Sequence, residues 1–423
     1  MASLEPPAGR DAQLPGWLAQ GELRPERPRF DSVVIRGCGI GALVCAARLS
    51  RSESLRGRVR IAGSPQTGSR RLVNGCTLRA RTLDYCGAAL GTERDDLLGE
   101  LFGARREGTG THAQRVGRVT EVAPGKFEIG RTGVFMDRAG QGGVLAYGLR
   151  NSHLATTLAA RVAALGVSFS DSVPESLDAC RSLANGSHPL VINGSHLPVS
   201  DLPAPPAPKR FVVASQLTLR RRADADWPEH HSFLAGRLRR GALDFGVFYP
   251  FADPLTPAAD FYGIFFRIVR PGPTFQKTDE IAIMRTAVEG VAAAMGFDPV
   301  DPEETRGEAM VPCLPWRDVP SVRADWLDLH RIYSSCTPII TGDGMTRAAL
   351  AGWVAAELIL AGEDPAPATN RSLHRWRQTN RGFALGMTRL ARLTAALVGR
   401  APGPTLRLLG VSPDMWAGVP HNS

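Results

Sequence analysis

The chain has 423 residues, 43% of them hydrophobic and 22% charged, which is an ordinary composition for a folded globular protein. This length is enough for two or three intergrown domains with sizeable cores. The net charge of +9 comes mostly from arginines that are spread along the chain, without a basic block interleaved with aromatic residues. This pattern argues against a nucleic-acid-binding protein and suits an anionic cofactor or substrate.

The seven cysteines include no C-x-x-C pair, and their odd number does not fit a closed set of disulfides. We therefore expect reduced thiols in a cytoplasmic protein. No apolar run reaches the roughly 18 residues that a membrane span needs, so we expect no membrane-spanning segment. Residues 1–29 are polar and proline-rich, and we interpret them as a flexible N-terminal extension.

The first predicted elements are a strand, a glycine turn and a helix. The apolar run 32–35 is followed by Gly37-Cys38-Gly39-Ile40-Gly41-Ala42 and then by the helical stretch 43–49. Amide groups at a helix N-terminus lack partners within the helix and carry partial positive charge, so they suit a diphosphate. The glycines allow a tight turn, close approach of a phosphate and close packing of helix on strand. Together these features predict a dinucleotide-binding turn.

A second strand is predicted at 58–62. In nucleotide-binding units this strand usually ends in Asp or Glu, whose carboxylate accepts hydrogen bonds from ribose hydroxyls. Here Ala62 is followed by Gly63-Ser64-Pro65, so the acid is missing. We expect Ser64 to offer a weaker, neutral hydrogen bond in its place.

The remaining elements change in type along the chain. Apolar residues at spacings of three and four predict a helix that ends at Gly166. After a proline-rich linker at 198–208, β-branched and aromatic residues alternate as in antiparallel strands with one buried face. The predicted helices are 155–165, 280–295, 344–360 and 370–397, and the predicted strands are 167–169, 189–192, 211–219, 244–249 and 261–269.

Three stretches resemble the FAD-dependent oxidoreductases built like para-hydroxybenzoate hydroxylase, which include class A flavoprotein monooxygenases, flavin halogenases and geranylgeranyl reductases. The first is the glycine turn. The second runs from Gly148-Leu149-Arg150 to Gly166-Val167 and is similar to the family's arginine, long helix and Gly-Val stretch. The third is Pro338-Ile339-Ile340-Thr341-Gly342-Asp343-Gly344-Met345 and the helix of small residues behind it, similar to the family's late glycine turn. The resemblance covers residues 30–397.

The chain departs from the family pattern in its acidic residues. The family's middle motif, a strand followed by Ala-Asp-Gly, is here Val191-Ile192-Asn193-Gly194-Ser195, with Asn in place of Asp. The family also has a Gly-Asp pair whose Asp binds the ribityl chain. Either Gly342-Asp343 is that pair, or Gly342 and Gly344 form the late turn and the pair is replaced near His330-Arg331. We favour the second placement, because Pro338 and the small-residue helix then fall into place. FAD held by arginines, weaker binding of FAD and loss of FAD all stay open.

The resemblance implies an FAD cofactor and residues that contact it. Arg150 has the family position at the head of a helix, and Arg79, or alternatively Arg81, is predicted to meet the flavin or an acidic substrate. The predicted cofactor-binding residues are Gly37, Gly39, Ile40, Gly41, Ala42, Ser64, Arg79, Arg150, Gly342, Asp343, Gly344 and Met345. Five aromatic residues on the antiparallel strands are expected either to roof a substrate pocket or to fill a core: Phe248, Tyr249, Phe251, Phe265 and Phe266. Cys38 is expected to pack beneath the phosphates.

The resemblance implies an α/β fold with a three-layer FAD-binding domain of Rossmann type, an inserted antiparallel-sheet substrate domain and C-terminal helices. The FAD-binding domain is predicted at 30–210 and 311–365, with part of 66–145 contributing to the substrate site. The substrate domain is predicted at 211–310 and the C-terminal helical region at 366–423.

The implied function is monooxygenation of a small aromatic or polycyclic metabolite by an FAD-dependent enzyme that uses NADPH or NADH and O2. Two alternatives stay open: a flavin-dependent dehydrogenase or reductase without oxygen transfer, and a repurposed fold with a binding or non-redox cyclase role. Halogenation is not expected, because Trp316 lies outside any Trp-x-Trp-x-x-Pro motif, and no G-x-S-x-G supports a hydrolase. We predict no metal site, because the pair His230-His231 has no third ligand at metal spacing, and expect these histidines to lie in an exposed loop. No catalytic residue is assigned, and a homodimer stays open.

Overall fold

The fold is described from a computed structural model of the chain. The structure describes residues 25–65, 75–103, 109–137, 143–203, 208–239, 242–254, 256–301, 305–313, 322–335 and 344–374. It also describes Val319 and some residues between 377 and 397.

Strands and helices alternate in the first half, and strands dominate the middle of the chain. In chain order the strands are β1 Ser32–Arg36, β2 Val59–Ala62, β3 Gly75–Arg79, β4 Gly110–Thr111, β5 Ala113–Ala123, β6 Lys126–Asp137, β7 Ala146–Arg150, β8 Ser168–Ser170, β9 Pro189–Asn193, β10 Phe211–Arg221, β11 His231–Arg239, β12 Ala242–Pro250, β13 Phe261–Val269, β14 Phe297–Pro299, β15 Gly307–Pro312 and β16 Trp326–Leu327. The helices are α1 Ile40–Ser50, α2 Ala80–Leu90, α3 Arg94–Phe102, α4 Asn151–Ala164, α5 Leu177–Arg181, α6 Lys277–Met295, α7 Leu329–Ser334, α8 Gly344–Leu360 and α9 Pro365–Ser372.

A five-stranded parallel sheet has the strand order β16-β9-β1-β2-β8 and forms the middle layer of a three-layer arrangement. Its strands are short continuous apolar runs, because both faces are covered. Val33 and Ile35 face the core shared with α1 and α8, whereas Val34 faces the core shared with α5. The alternation along β1 therefore produces helix, sheet and helix layers, as predicted for a Rossmann-type domain.

Helix α8 lies directly against α1, and small residues allow this close approach. A Cβ atom added at Gly352 would overlap the carbonyl oxygen of Gly41, and one added at Gly41 would lie 2.8 Å from the carbonyl oxygen of Ala348. Because Gly41 meets Ala348 and Cys45 meets Gly352, the two helices run side by side in the same direction here. Their N-termini consequently lie within about one helical turn of each other.

An eight-stranded sheet has the order β14-β10-β13-β12-β11-β5-β6, with β15 also paired to β10. Its pairs are antiparallel except for β11 with β5, which is parallel. Helix α6 covers one face, where Met284 and Val288 pack against Phe248 and Phe265. The sheet thus takes in the hairpin 113–137 in addition to the strands that the sequence predicts between 211 and 269.

A third, three-stranded sheet, β3-β7-β4, packs on the face of the large sheet that is opposite α6. The ring of Tyr262 lies 2.6 Å from where a Cβ of Gly75 would stand, and the ring of Tyr249 lies 2.7 Å from the same position at Gly148. Glycine is required at these two positions because the tyrosine rings, and at Gly148 also the carbonyl oxygen of Pro250, fill the side-chain space. The two tyrosines therefore join the parallel-sheet half of the chain to the antiparallel sheet.

The α6-covered face also holds a buried ionic cluster. Asp244 has no exposed surface and accepts hydrogen bonds from the guanidinium groups of Arg237 (2.9 Å) and Arg267 (2.9 Å). Arg267 also reaches Glu280 on α6 at 3.0 Å, and Arg237 lies 3.5 Å from Glu121. Each buried charge thus has an opposite partner, which is the condition for tolerating charges inside a core.

The predicted fold class is confirmed: the chain is α/β, with a parallel Rossmann-type sheet and a curled antiparallel sheet. The predicted elements at 280–295 and 344–360 occur as α6 and α8. The sequence did not indicate β3, α3, the β5–β6 hairpin, β11 or the short strands β14 to β16. No helix in the described ranges combines the length and apolar character needed to cross a membrane.

Candidate functional site

The three glycines of the first turn face different neighbours. Gly37 has φ +92°, and a Cβ there would stand 2.9 Å from the Cβ of Ser195. Gly41 is closed off by the carbonyl oxygen of Ala348. At Gly39, by contrast, the nearest atoms to an added Cβ are the oxygen of Gly194 at 3.8 Å and the hydroxyl of Tyr333 at 4.0 Å. Gly37 and Gly41 are thus needed for packing, whereas an added Cβ at Gly39 would make only ordinary van der Waals contacts with the described residues. The position that this Cβ would take is called the space over Gly39 below.

The N-terminus of α1 opens into this space. Gly39 is the N-cap residue, with extended backbone angles, and in the described chain no side chain caps the helix. The first turn of α1 contains no acidic residue. Uncapped amides and the positive end of the helix dipole therefore face the space over Gly39, which is an environment that favours an anion.

The carboxyl ends of three neighbouring parallel strands meet at the same edge. Strand β1 leads into Gly37, β9 leads into Gly194, and β16 leads into Asp328. The amide of Gly194 donates to the carbonyl of Arg36 at 2.8 Å, which joins the first two strand ends directly. In open α/β sheets, ligands bind at this edge.

Asn193 connects a buried cation to a carboxylate at this edge. Its Oδ1 accepts from Nη1 of Arg36 at 3.0 Å, and its Nδ2 donates to Oδ1 of Asp328 at 3.1 Å. An aspartate at 193 would place two carboxylates in contact, which is unfavourable. This arrangement gives a physical reason for Asn at position 193, where the family that the chain resembles has Asp.

Asp328 is a carboxylate that the sequence analysis did not single out; it lies just before His330-Arg331, where the family's Gly-Asp pair was expected to be replaced. It caps α7 by accepting from the amide of Arg331 at 3.1 Å, and its Oδ2 lies 3.7 Å from Nη1 of Arg331. Burial raises the pKa of Asp328 above its ordinary value, and Arg331, Asn193 and Arg36 oppose that rise. A partly accessible carboxylate, with 11% of its side chain exposed, therefore lies at the end of the edge strand.

The second glycine turn is described only from Gly344 onwards. Gly342 and Asp343 lie outside the described residues, whereas Gly344 and Met345 form the half-buried first turn of α8. Thr346 on α8 is hydrogen-bonded to Thr82 on α2 through their hydroxyls at 2.8 Å. The first turns of α1, α2 and α8 therefore come together on one side of the sheet.

The predicted arginines are buried. Arg79 is the N-cap residue of α2, Arg81 lies in its first turn, and their exposures are 2% and 6%. Arg150 heads α4 as predicted, and its Nε donates to Oδ2 of Asp253 at 2.7 Å. Because Asp253 has no exposed surface, this is a buried ion pair.

The aromatic residues proposed for a substrate roof are all core residues. Phe248 and Phe265 lie in the core beneath α6, on the face away from the parallel-sheet half. Tyr249, Phe251 and Phe266 lie on the other face, where Tyr249 fills the space beside Gly148. The period of two along a strand splits the group between the two faces, so Phe248 and Phe265 cannot share one pocket with the others.

Three remaining predictions concern Ser64, Cys38 and the histidine pair. Ser64 follows β2 and is half-buried. Burial raises the pKa of the Cys38 thiol to about 12, which keeps it protonated and fits a packing role.

His230 and His231 are half-buried, and not exposed as predicted. A ring nitrogen of His230 lies 3.1 Å from the carbonyl oxygen of Gly110, and His231 accepts a hydrogen bond from Arg115. Among the described residues, no cluster of three His, Cys, Asp or Glu side chains is placed to hold a metal.

The parallel sheet with its glycine turn, joined to a curled antiparallel sheet, is the fold of the FAD-dependent monooxygenases built like para-hydroxybenzoate hydroxylase. No protein-family model matches this chain, and no curated protein matches it. Among solved structures, the chain matches native FqzB with a TM-score of 0.52 and 12% identity, covering 94% of this chain and 92% of that chain. It matches a mutant of PqsL from P. aeruginosa with a TM-score of 0.50 and 15% identity, covering 90% and 99%.

A third match is the tetrameric form of 2-methyl-3-hydroxypyridine-5-carboxylic acid oxygenase, with a TM-score of 0.50 and 13% identity, covering 89% of this chain and 95% of that chain. These matches extend over nearly the whole of both partners. The identities are low, so what they establish is the shared fold.

Proposed function

We propose that this chain is an FAD-dependent monooxygenase that acts on a small aromatic or polycyclic metabolite with NADPH or NADH and O2. The observation that carries the proposal is the position of Gly39 at a helix N-terminus that no described side chain caps and at the carboxyl edge of a parallel sheet, where no described atom lies closer than 3.8 Å to an added Cβ. The name of the matched oxygenase, whose substrate is a substituted pyridine, supports a small aromatic substrate.

The residues at this edge fit the parts of an FAD molecule. Amides of Gly39, Ile40 and Gly41 would hold the diphosphate, with Gly37 and Ala42 shaping the turn and its packing. Asp328 would accept from the ribityl hydroxyls through Oδ2, since Oδ1 already accepts from Asn193 and Arg331. Ser64 would bind the adenosine ribose at the end of β2. The first turn of α8, with Gly344 and Met345, and the preceding Gly342 and Asp343 would contact the flavin ring.

The arginines have separate roles in this proposal. Arg79 or Arg81, at the N-terminus of α2, would supply positive charge near the cofactor or an acidic substrate. The charge of Arg150 is balanced by Asp253, so Arg150 would act mainly by holding the N-terminus of α4 against the eight-stranded sheet. When bound, the flavin would supply the redox chemistry, and the protein would bind, orient and exclude water.

Binding of FAD to the purified full chain tests the proposal. We expect absorbance near 450 nm, either as purified or after FAD is added, and consumption of NADPH or NADH and O2 that aromatic compounds stimulate. Turnover that needs no O2 would identify the dehydrogenase alternative instead. A chain that binds no FAD would overturn the flavoenzyme assignment and favour the repurposed fold.

The affinity for FAD is expected to fall as the pH is lowered towards the acid range. The ribityl hydroxyls need a carboxylate acceptor, and the pKa of Asp328 is raised, so protonation removes the acceptor at a higher pH than for an ordinary aspartate. Among the described residues, the charged groups that act on it are Arg331 and Arg36. Titration of FAD by fluorescence from pH 8 to pH 5 checks this expectation. Asp328→Asn should bind FAD more weakly at pH 8 and lose the acid-side fall; an unchanged pH profile would show that Asp328 is not the acceptor.

A further inference from the structure

The orientation of the Asn193 side-chain amide is fixed by two donors. Its Oδ1 lies 3.0 Å from Nη1 of Arg36 and 3.2 Å from the backbone nitrogen of Ser195. A guanidinium and a backbone N–H can donate and cannot accept, so the amide oxygen must face them. The amide nitrogen therefore faces Asp328, where Nδ2 donates to Oδ1 at 3.1 Å.

Arg36 is held in place independently of this amide. It is 1% exposed and donates to the carbonyl oxygens of Pro174 at 2.6 Å, Leu197 at 2.8 Å and Pro198 at 2.8 Å. Because the donors of a guanidinium lie in one plane with fixed directions, these three bonds also fix the direction of the bond to Asn193. The buried arginine thus determines which way the amide of Asn193 points.

Two donors from different elements meet on one oxygen of Asp328. Oδ1 accepts from Asn193 at the end of β9 and from the amide of Arg331 on α7, and both distances are 3.1 Å. Bonds from two directions fix the rotation of the carboxylate, whose terminal torsion is otherwise soft. Burial raises the pKa of Asp328, and the hydrogen bond from Asn193 is one of the contacts that lower it. Asn193 therefore acts on both the direction and the charge of this carboxylate.

We propose that Asn193, oriented by Arg36, is the positioning residue that keeps Asp328 ionised with Oδ2 turned towards the cofactor, and that it thereby sets the pH below which the chain releases FAD. The inference rests on the proposed function, in which Asp328 accepts from the ribityl hydroxyls. It adds a control of that carboxylate from a neighbouring strand. Among the described residues, the other charged or titratable groups that act on Asp328 or Arg36 are Arg331, Glu175 and Cys180.

Asn193→Asp tests the inference, because it keeps the size of the side chain and replaces the donor Nδ2 by an acceptor. An aspartate at 193 pairs with Arg36 and turns a carboxylate oxygen towards Asp328, which favours the protonated form of Asp328. We expect the midpoint of the acid-side fall in FAD affinity to move up by about one pH unit or more. At pH 8 the variant should bind FAD about 10-fold more weakly, the loss for one hydrogen bond to a charged group. Fluorescence titration of FAD between pH 5 and pH 9 gives both values.

Asn370→Asp is the matched control. Asn370 is 4% exposed and Asn193 is 5% exposed, and each accepts from a buried arginine and from a backbone amide. The amide nitrogen of Asn370, however, donates to the backbone carbonyl of Val319, which does not titrate, and not to a carboxylate. Asn370→Asp should therefore lower the melting temperature to a similar extent and leave the pH midpoint of FAD binding unchanged.

Asn193→Ala removes the donor without adding a buried charge, and it serves as the second variant if Asn193→Asp does not fold. It should move the midpoint in the same direction by a smaller amount. In an Asp328→Asn background, Asn193→Asp should not change the pH profile further, because the inferred effect acts through the carboxylate of Asp328. Thermal melting of the ligand-free variants shows which of them are folded.

The results separate the inference from the proposed function. A wild-type chain that binds no FAD at any pH refutes the proposed function and the inference together. If the wild type binds FAD without an acid-side fall, or if the midpoint is the same or lower in folded variants at 193, the inference alone is overturned. An equal upward shift in Asn370→Asp would also overturn it, because the shift would then report a general loss of packing. An upward shift in the variants at 193 that is absent from Asn370→Asp supports the inference.

Discussion

Gly39→Asp is expected to abolish FAD binding while the ligand-free chain stays folded. The nearest described atoms to an added Cβ are 3.8 Å and 4.0 Å away, and φ at Gly39 is −81°, so the backbone and the Cβ of an aspartate are accommodated. Aspartate is also a favourable N-cap, because its carboxylate accepts from the free amides of the first helical turn. The same carboxylate occupies the anion position and repels the diphosphate, which should lower the affinity for FAD by at least about 100-fold.

Gly39→Asn is the matched control for charge. Asparagine has nearly the same size and also caps helices, but it carries no charge. It should therefore weaken FAD binding much less than Asp does, with a similar melting temperature for both ligand-free variants. Equal FAD affinity in Gly39→Asp and the wild type, measured by fluorescence titration on folded protein, would show that the diphosphate does not lie over Gly39.

Asp244→Asn is expected to cause a large loss of stability in the antiparallel sheet. The carboxylate is fully buried between the guanidinium groups of Arg237 and Arg267. Its removal leaves two buried cations with only their more distant acidic partners, and breaking a buried pair in this way costs about 3–5 kcal/mol of unfolding free energy. Urea denaturation followed by circular dichroism gives the measurement.

Asp224→Asn provides the comparison for this effect. Asp224 pairs with Arg222 at 3.2 Å, but 78% of its side chain is exposed, and surface pairs contribute at most about 1 kcal/mol. A loss for Asp244→Asn no greater than that for Asp224→Asn would mean that the buried cluster does not stabilise the sheet.

The parts of the fold that local patterns specify could be predicted from the sequence. The strand, turn and helix at 32–50 are recognisable because an apolar run, three glycines and a helical stretch follow one another directly. The long helix at 344–360 is similarly distinct. The different roles of Gly37, Gly39 and Gly41 could not be predicted, because Ser195 and Ala348, which close off two of them, are distant in the chain.

Side chains that depend on distant partners escaped the sequence analysis for the same reason. Asp328 follows the two-residue strand β16, which is too short to show a periodic pattern. Arg150 pairs with Asp253, which is 103 residues away in the sequence. No pattern in either local segment predicts this pairing. The sequence analysis expected the Gly-Asp pair to be replaced near His330-Arg331 and did not identify Asp328, whose position is defined by its contact with Asn193.

The parallel pairing of β5 with β11 has a consequence for how the protein is made and cut. During synthesis the hairpin 113–137 emerges long before His231, which pairs with Ala113. The edge of β5 that pairs with β11 therefore stays unpaired until β11 has been synthesised. A fragment limited to 211–310 would lack β5, so the backbone N–H and C=O groups of β11 that pair with β5 would be exposed. Such an exposed edge strand promotes aggregation. Expression of the intact chain, without excision of the inserted sheet, is therefore the sound basis for biochemical work on this protein.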